Sequence, residues 1–118
     1  MAKKTTLEPL LWTLFSAGGV IAALLVPIHL LVFGLAIPLG LVPEPRHEHL
    51  LRLVQHPLTR VYLLVLCTLA LFHGAHRLRY TLYDGLQIKH LNEVINPLCY
   101  GGAIVLTLTT AYLLLQIP

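Results

Sequence analysis

The stretch EPLLWTLFSAGGVIAALLVPIHLLVFGLAIPLGLVP, residues 8–43, has no Asp, Glu, Lys or Arg after its first residue, and the next charged side chain is Glu44. A helix of about 20 apolar residues crosses a bilayer core about 30 Å thick, so this stretch is long enough to span a membrane. It also exceeds the roughly 7 to 15 apolar residues at the centre of a cleavable signal peptide. We therefore expect a membrane-spanning helix that stays in the mature protein.

The composition of the whole chain agrees with a membrane protein. Of 118 residues, 57% are hydrophobic and only 11% are charged, and the mean hydropathy is +0.79, which lies outside the usual balance of a soluble domain. Residues 61–76 and 94–118 also lack Asp, Glu, Lys and Arg. The sequence therefore predicts one all-α membrane domain, residues 1–118. Its three transmembrane helices are expected at about 10–40, 58–82 and 94–117.

The only long polar segment is VPEPRHEHLLRLVQHP, residues 42–57, between the first two predicted helices. Prolines near both of its ends mark it as a loop. Within it, Leu50, Leu51, Leu53 and Val54 form a short apolar face, the pattern of a helix that lies at the membrane surface. We expect a short interfacial helix here.

Basic residues predict the orientation, because segments rich in Lys and Arg stay on the cytoplasmic side of the membrane. Five of them lie at the N-terminus and around the loop after the second helix: Lys3, Lys4, Arg77, Arg79 and Lys89. The loop after the first helix has three: Arg46, Arg52 and Arg60. We therefore expect the N-terminus in the cytoplasm and the C-terminus in the periplasm.

Small residues recur at helical spacing, which lets helix backbones approach each other closely in a membrane. Gly18 is followed four residues later by Ala22, and Gly19 by Ala23. Comparable rows occur in the later spans: Ala70 and Gly74, then Ala103, Thr107 and Ala111. These rows predict packing against a partner helix, either within this chain or in another chain.

Polar and aromatic residues cluster at the cytoplasmic end of the second predicted helix: His73, His76, Arg77, Arg79, Tyr80 and Tyr83. At about 100° per residue, the two histidines and the two tyrosines share one face of the helix, and Arg77 lies on its flank. Such donors in a partly apolar wall suit the carbonyl oxygens of a quinone. Aromatic and basic residues at a helix end also form ordinary interfacial anchors, and the spacing leaves both interpretations open.

His29 lies in the middle of the first predicted span, two residues after Pro27. Imidazole is a common haem ligand, and ionisable residues inside a membrane are functional candidates. A neutral His can also donate to a carbonyl that a proline leaves without its N–H partner, or bond to a neighbouring helix. We favour this structural role, because a second haem ligand would have to come from another helix at matching depth, and His73 and His76 lie nearer the membrane edge.

The other polar residues of the sequence do not form a pattern typical of a catalytic, metal or nucleic-acid-binding site. The loop histidines His47, His49 and His56 lack the compact spacing of metal ligands, and Cys67 and Cys99 form no C-x-x-C motif. The acidic residues are dispersed near the ends of the spans, and the formal net charge of +3 is too small and scattered for a nucleic-acid surface. We expect no catalytic residue and no metal site in this chain, and no nucleic-acid partner.

Three blocks of the sequence resemble the fumarate reductase D subunit, a hydrophobic membrane anchor of bacterial quinol:fumarate reductases. They are EPLLWTLFSAGG, VPIHLLVFGLAIPLGL and HGAHRLRYTLYDGL, residues 8–19, 26–41 and 73–86. The resemblance implies a complex of four proteins: a flavoprotein that reduces fumarate, an iron–sulphur protein, and two three-helix membrane anchors. The two anchors are called C and D, and this chain resembles the D anchor. The anchors hold the catalytic pair at the cytoplasmic face of the bacterial inner membrane. FAD and the iron–sulphur clusters then belong to partner subunits.

The resemblance also implies a shared site of menaquinol oxidation. The Trp of the E-P-x-x-W block corresponds to Trp12, with Phe15 and Ser16 one turn further along, and the His-Arg pair after the second span corresponds to His76 and Arg77. It further implies an anchor without haem. Menaquinone or menaquinol is the ligand that we expect at the shared site. With the N-terminus inside, Trp12 and the His-Arg pair lie at the same membrane boundary, although they are far apart in the sequence.

Two other functions remain open from the sequence. One is a haem b-binding anchor of a succinate:quinone oxidoreductase, with His29, His73 or His76 as ligands. The other is a small transporter or scaffold protein without a redox role. An anchor that binds haem predicts a haem absorbance spectrum, whereas a transporter or scaffold predicts purification without flavin or iron–sulphur partners.

Overall fold

The computed structural model describes residues 7–118, except for the side chains of Leu7, Glu8 and Leu11. Lys3 and Lys4, which carry part of the predicted orientation, lie outside the described residues. All regular structure in residues 7–118 is helical, so the predicted all-α class is confirmed. Three helical stretches are long and apolar enough to cross a membrane: Trp12–Ala36, Pro57–Gly85 and Lys89–Gln116.

Helix α1 covers Leu7–His29 and continues through Pro27 without interruption. It passes directly into a π-helical segment, Leu30–Ala36, so that the helical stretch ends close to the predicted limit at residue 40. Pro38 has no N–H group and cannot extend the hydrogen-bond ladder. The helix therefore stops two residues before this proline.

Gly40 completes the end of this first span. Its φ of +72° is a left-handed conformation that glycine adopts without strain. The turn brings the N–H of Leu41 to 2.8 Å from the carbonyl oxygen of Ala36, which satisfies one of the last carbonyls of the helix.

Three further helices follow, and they agree with the predicted limits to within a few residues. Helix α2 covers His47–Gln55 within the predicted loop, helix α3 covers Pro57–Gly85, and helix α4 covers Asn92–Gln116 after a 3-10 turn at Lys89–Leu91. At the tight corner before α3, the Nδ1 atom of His56 accepts a hydrogen bond of 3.1 Å from the Leu58 N–H. This side-chain cap satisfies one of the free N–H groups at the start of α3.

Helix α3 lies between α1 and α4 and is antiparallel to both. The start of α1 meets the end of α3, where the ring centroids of Phe15 and His73 are 4.4 Å apart. The end of α1 meets the start of α3, where His29 and Tyr62 are 5.9 Å apart. The start of α4 adjoins the first of these ends, and α2 and the end of α4 adjoin the second. The cellular orientation of the two ends stays a prediction.

Gly18 and Gly19 of α1 face α3 of the same chain. A β-carbon built on Gly18 would contact Leu69 at 3.5 Å, and one built on Gly19 would lie 2.7 Å from Nδ1 of His73, too close for a real side chain. By contrast, a β-carbon on Gly74 or Gly102 would meet nothing within 4 Å among the described residues. The predicted close approach therefore occurs within the chain at α1, whereas the surfaces at Gly74 and Gly102 are open among the described residues.

The three long helices bury few side chains of their own. The buried apolar residues lie on α3 and α4: Leu66, Ala75, Tyr83, Ile95 and Ala103. Most other apolar side chains of the spans are exposed, including large ones such as Leu24 and Leu108. In a membrane, such outward faces contact lipid tails or the helices of other subunits.

Candidate functional site

A cavity of about 630 Å³ opens at the end of the molecule where α1 begins. Its apolar wall consists of Trp12, Leu14 and Phe15 from α1 and Leu69 and Phe72 from α3. The volume falls within the roughly 300 to 1,000 Å³ of typical small-molecule sites, which also combine apolar walls with a few polar groups. The cavity can therefore hold a flat organic ring.

Aromatic contacts join the α1 wall to α3. Trp12 and Phe15 are three residues apart, which places both on one face of the helix, and their rings meet edge to face at 6.1 Å. The Phe15 ring stacks on His73 at 4.4 Å and contacts the His76 ring at 4.2 Å. The Trp12 ring meets His76 edge to face at 5.7 Å. These contacts bring the two sequence blocks containing Trp12 and His76 together in space.

His73 also holds α1 by a hydrogen bond to its backbone. Its Nδ1 atom lies 3.2 Å from the carbonyl oxygen of Phe15. A carbonyl oxygen only accepts, so Nδ1 is the donor and the neutral ring has its lone pair on Nε2. The ring reaches this carbonyl because Gly19 has no side chain to block it.

The polar edge of the cavity is formed by His76, Arg79 and Tyr100. The hydroxyl oxygen of Tyr100, on α4, lies 2.8 Å from Nδ1 of His76 and 3.3 Å from Nη1 of Arg79. The other terminal nitrogen of Arg79, Nη2, donates to the Tyr80 hydroxyl at 3.4 Å. A chain of hydrogen bonds therefore connects Arg79 to His76 through Tyr100.

The face of α3 that the spacing predicts is continuous in the structure. His76 and Tyr80 have ring centroids 4.9 Å apart, and Tyr80 and Tyr83 follow at 5.8 Å. The Tyr83 hydroxyl donates to Oδ1 of Asn96 at 2.9 Å. This row of rings attaches the cavity end of α3 to the first turns of α4.

Of the residues predicted to bind quinone, the structure brings Trp12, Phe15 and His76 together at the cavity. Ser16 and Arg77 are exposed and lie outside its lining. Each of these two follows a lining residue directly, and one step along a helix turns the side chain by about 100°. Their role in quinone binding stays a prediction, as does that of the three lining residues.

Two residues of the polar edge, Arg79 and Tyr100, are absent from the five residues predicted to bind quinone. Arg79 follows His76 by three residues, which returns it to nearly the same face, so helical spacing could have identified it. Tyr100 lies eight residues into α4, about 12 Å from its start, and His76 lies a similar distance before the end of α3. The similar distances of Tyr100 and His76 from the turn between α3 and α4 could have identified this pair.

His29 lies at the opposite end of the molecule from this cavity. Its Nδ1 donates to the carbonyl oxygen of Leu25 at 2.7 Å, and its Nε2 lies 3.4 Å from the Tyr62 hydroxyl on α3. The acceptor is thus the carbonyl four residues earlier, not the Ala23 carbonyl for which Pro27 supplies no N–H. Both ring nitrogens have protein partners, as the structural role predicted for His29 requires.

In the described part of the chain, no group of three or more His, Cys, Asp or Glu side chains is placed to hold a metal ion. Cys67 and Cys99 are free thiols, each partly buried within a helix.

The family model and the similar proteins that match this sequence belong to the same family. The sequence matches the family model for the fumarate reductase D subunit over residues 2–115. The fumarate reductase D subunits of Mycobacterium tuberculosis and Mycobacterium bovis are each 48% identical over 114 residues, covering 97% of this chain and 91% of the relative. The protein of the same name from Shewanella putrefaciens is 33% identical over 113 residues, covering 93% and 91% of the two chains.

Proposed function

Because the chain belongs to the fumarate reductase D subunit family, we propose that it anchors a quinol:fumarate reductase in the membrane and forms part of the site where menaquinol is oxidised. The chain is a multi-pass membrane protein with three helices of spanning length. The complex acts in anaerobic fumarate respiration at the bacterial inner membrane.

The cavity between Trp12 and His76 is the observation that carries the proposal. A quinone head is a flat ring with an oxygen at each end and an apolar tail. Trp12, Phe15 and Phe72 offer apolar surface for such a ring. His76 offers a polar hydrogen or a lone pair for its oxygen.

Oxidation of menaquinol releases two electrons and two protons. In this proposal the electrons would pass to an iron–sulphur centre of the partner subunit, and the two protons would pass to water at the membrane boundary. We assign no redox step to the described residues of this chain. The contribution of this chain is to place the ring against Trp12 and Phe15 and to bond one oxygen through His76. A ring fixed in this way keeps a constant position relative to the electron acceptor, which the transfer requires.

The remaining walls of the site come from partner subunits in this proposal. Trp12 lines the cavity yet is 54% exposed, so its outer face is free for an adjoining protein surface. We assign that surface to the iron–sulphur protein, which holds the flavoprotein in turn. The second hydrophobic anchor, of the C type, covers part of the outward apolar face, and lipid covers the rest.

We propose further that this chain ligates no haem, in contrast to a haem b-binding anchor of a succinate:quinone oxidoreductase. Both ring nitrogens of His29 have partners within the chain, so neither is available to bind iron. An absorbance spectrum of the purified complex tests this point. A haem signal that disappears in His29→Leu, His73→Leu or His76→Leu contradicts it.

The replacement Trp12→Leu tests the quinone site directly. We expect quinol-dependent fumarate reduction to fall about tenfold, because the loss of roughly 1.4 kcal/mol of ring contact corresponds to a factor of ten. Reduction by an artificial soluble donor, which bypasses the quinone site, should be unchanged. Both rates are measured on the purified complex.

Leu24→Ala is the matched control, since Leu24 is exposed on α1 and outside the cavity lining. It should retain both activities. Equal loss of both activities in Trp12→Leu indicates failed assembly. Unchanged quinol-dependent activity in an assembled Trp12→Leu complex contradicts the proposal.

A further inference from the structure

We propose that Arg79 and Tyr100 are positioning residues that hold His76 as the tautomer with its proton on Nε2, so that His76 is a hydrogen-bond donor to the quinone oxygen. The inference rests on the proposed quinone site and adds to it the residues that set the direction of its hydrogen bond. Neither residue belongs to the set that the resemblance implies.

The direction of the bonds follows from what each group can donate. The guanidinium nitrogens of Arg79 only donate, so the Tyr100 oxygen accepts from Nη1 at 3.3 Å. The positive charge beside this oxygen makes its O–H a stronger donor. The nearest acceptor for that hydrogen is Nδ1 of His76, at 2.8 Å. An imidazole that accepts at Nδ1 has its proton at Nε2 when it is neutral.

Packing holds the Arg79 guanidinium in place. Its central carbon lies over three tyrosine rings, at 4.9 Å from Tyr80, 5.6 Å from Tyr83 and 5.8 Å from Tyr100, distances at which a cation is attracted by a ring face. Tyr83 is itself buried and bonded to Asn96. The guanidinium is therefore confined by rings, and its bond to Tyr100 is correspondingly well defined.

His73 provides a comparison within the same cavity. Its Nδ1 donates to a backbone carbonyl, so its proton is on Nδ1 and its Nε2 is an acceptor. The two histidines that line the cavity are therefore opposite tautomers, each set by the partner of its Nδ1 atom. One donor and one acceptor together match a quinol hydroxyl group, which both donates and accepts.

Single and double replacements test whether Arg79 acts through Tyr100. In the purified complex we expect Tyr100→Phe and Arg79→Gln each to lower kcat/KM for menaquinol about two- to tenfold, the effect of losing one hydrogen bond. The double variant should be no worse than the more affected single variant, because the second change removes nothing further. The rate with a soluble artificial donor should be unchanged throughout.

Tyr112→Phe is the matched control, because Tyr112 is an exposed α4 tyrosine outside the cavity lining. It should retain full quinol activity. Losses that multiply in the double variant, or a Tyr100→Phe complex with unchanged kcat/KM, overturn the inference. If Trp12→Leu lowers quinol activity and Tyr100→Phe does not, only this inference fails. If neither does, the proposed quinone site fails as well.

The tautomer can be observed without turnover by ¹⁵N NMR of the histidine-labelled complex, with the His76 signals assigned by their absence in His76→Gln. We expect a protonated Nε2 and an unprotonated Nδ1 in the unsubstituted protein, and a mixture of tautomers in Tyr100→Phe. A proton on Nδ1 in the unsubstituted protein, or the same single tautomer in Tyr100→Phe, overturns the inference. This measurement decides the matter even if Arg79→Gln does not assemble.

Discussion

Gly19 is the residue on which the contact between α1 and the candidate site depends most directly. Without a side chain there, the His73 ring lies against the α1 backbone and reaches the Phe15 carbonyl at 3.2 Å. The same position lets His73 stack on the Phe15 ring. One small residue thus supports two contacts that shape the apolar wall of the cavity.

Gly19→Ala should therefore weaken the α1–α3 contact. The added β-carbon would lie 2.7 Å from Nδ1 of His73, so the ring must move away from Phe15. Inserting a methyl group into such a tight contact typically costs about 1–3 kcal/mol. We expect a lower unfolding temperature for the complex in detergent and a reduced quinol-dependent rate.

Gly34→Ala and Gly102→Ala are the controls for this replacement, since their β-carbons meet nothing within 4 Å among the described residues. They should leave the unfolding temperature unchanged or slightly raised, because Ala favours the helix over Gly. A Gly19→Ala complex as stable as the unsubstituted one would show that the close approach is absent.

At the scale of the elements, Arg60 connects three helices at the end remote from the cavity. Its Nε donates to the carbonyl oxygen of Val54 on α2 at 3.0 Å, and its Nη2 donates to that of Ile117 at 2.9 Å, just after α4. Gln55 donates to the backbone oxygen of Pro118 beside it. These bonds hold α2 and the segment after α4 against the start of α3.

Arg60→Ala should weaken the attachment of α2 and of the segment after α4 to the start of α3. Hydrogen bonds to a charged donor contribute about 1.5–3 kcal/mol each, so removing both should speed amide hydrogen exchange in α2 by at least about tenfold. Arg52→Ala is the control, because the Arg52 side chain is exposed and, among the described residues, its hydrogen bond is to the Glu48 carbonyl within α2. Equal exchange in the two variants would contradict the role of Arg60.

The helices were predictable because their signals are local and strong. Charge-free runs gave the spans, and prolines at 38, 43 and 57 marked their limits. The π-helical form of Leu30–Ala36 was not predicted, because apolar composition is the same for α- and π-helical turns. Tyr100 was missed for a different reason: its bond to His76 depends on how α3 and α4 align, which no spacing within one helix determines.

At the scale of the whole molecule, the arrangement is thin and exposes most of its apolar surface. Its principal dimensions are 57 × 32 × 23 Å, and the main contacts between the spans are those of α3 with α1 and with α4. Three helices in this arrangement cannot enclose a ligand on all sides. The cavity is therefore completed by neighbouring subunits in the proposed complex, which agrees with the exposure of Trp12.

The predicted orientation can be tested by thiol labelling. Glu44 and Gln87 are exposed in the loops at opposite ends of the molecule. With the N-terminus inside, a membrane-impermeant reagent should label Glu44→Cys in intact cells and Gln87→Cys only after permeabilisation. The unsubstituted chain gives the background, since Cys67 and Cys99 lie within helices. The reverse pattern would place the cavity at the periplasmic side and contradict the proposed docking of the catalytic subunits.

The most direct test of the quinone site is photolabelling of the assembled complex with an azidoquinone, followed by peptide mapping. The proposed site predicts labels on the segments that contain Trp12 and Phe15 and on those that contain Phe72 and His76, and excess menaquinone should suppress them. Labels that menaquinone suppresses but that occur only near His29 and Tyr62, or only on other subunits, would contradict it.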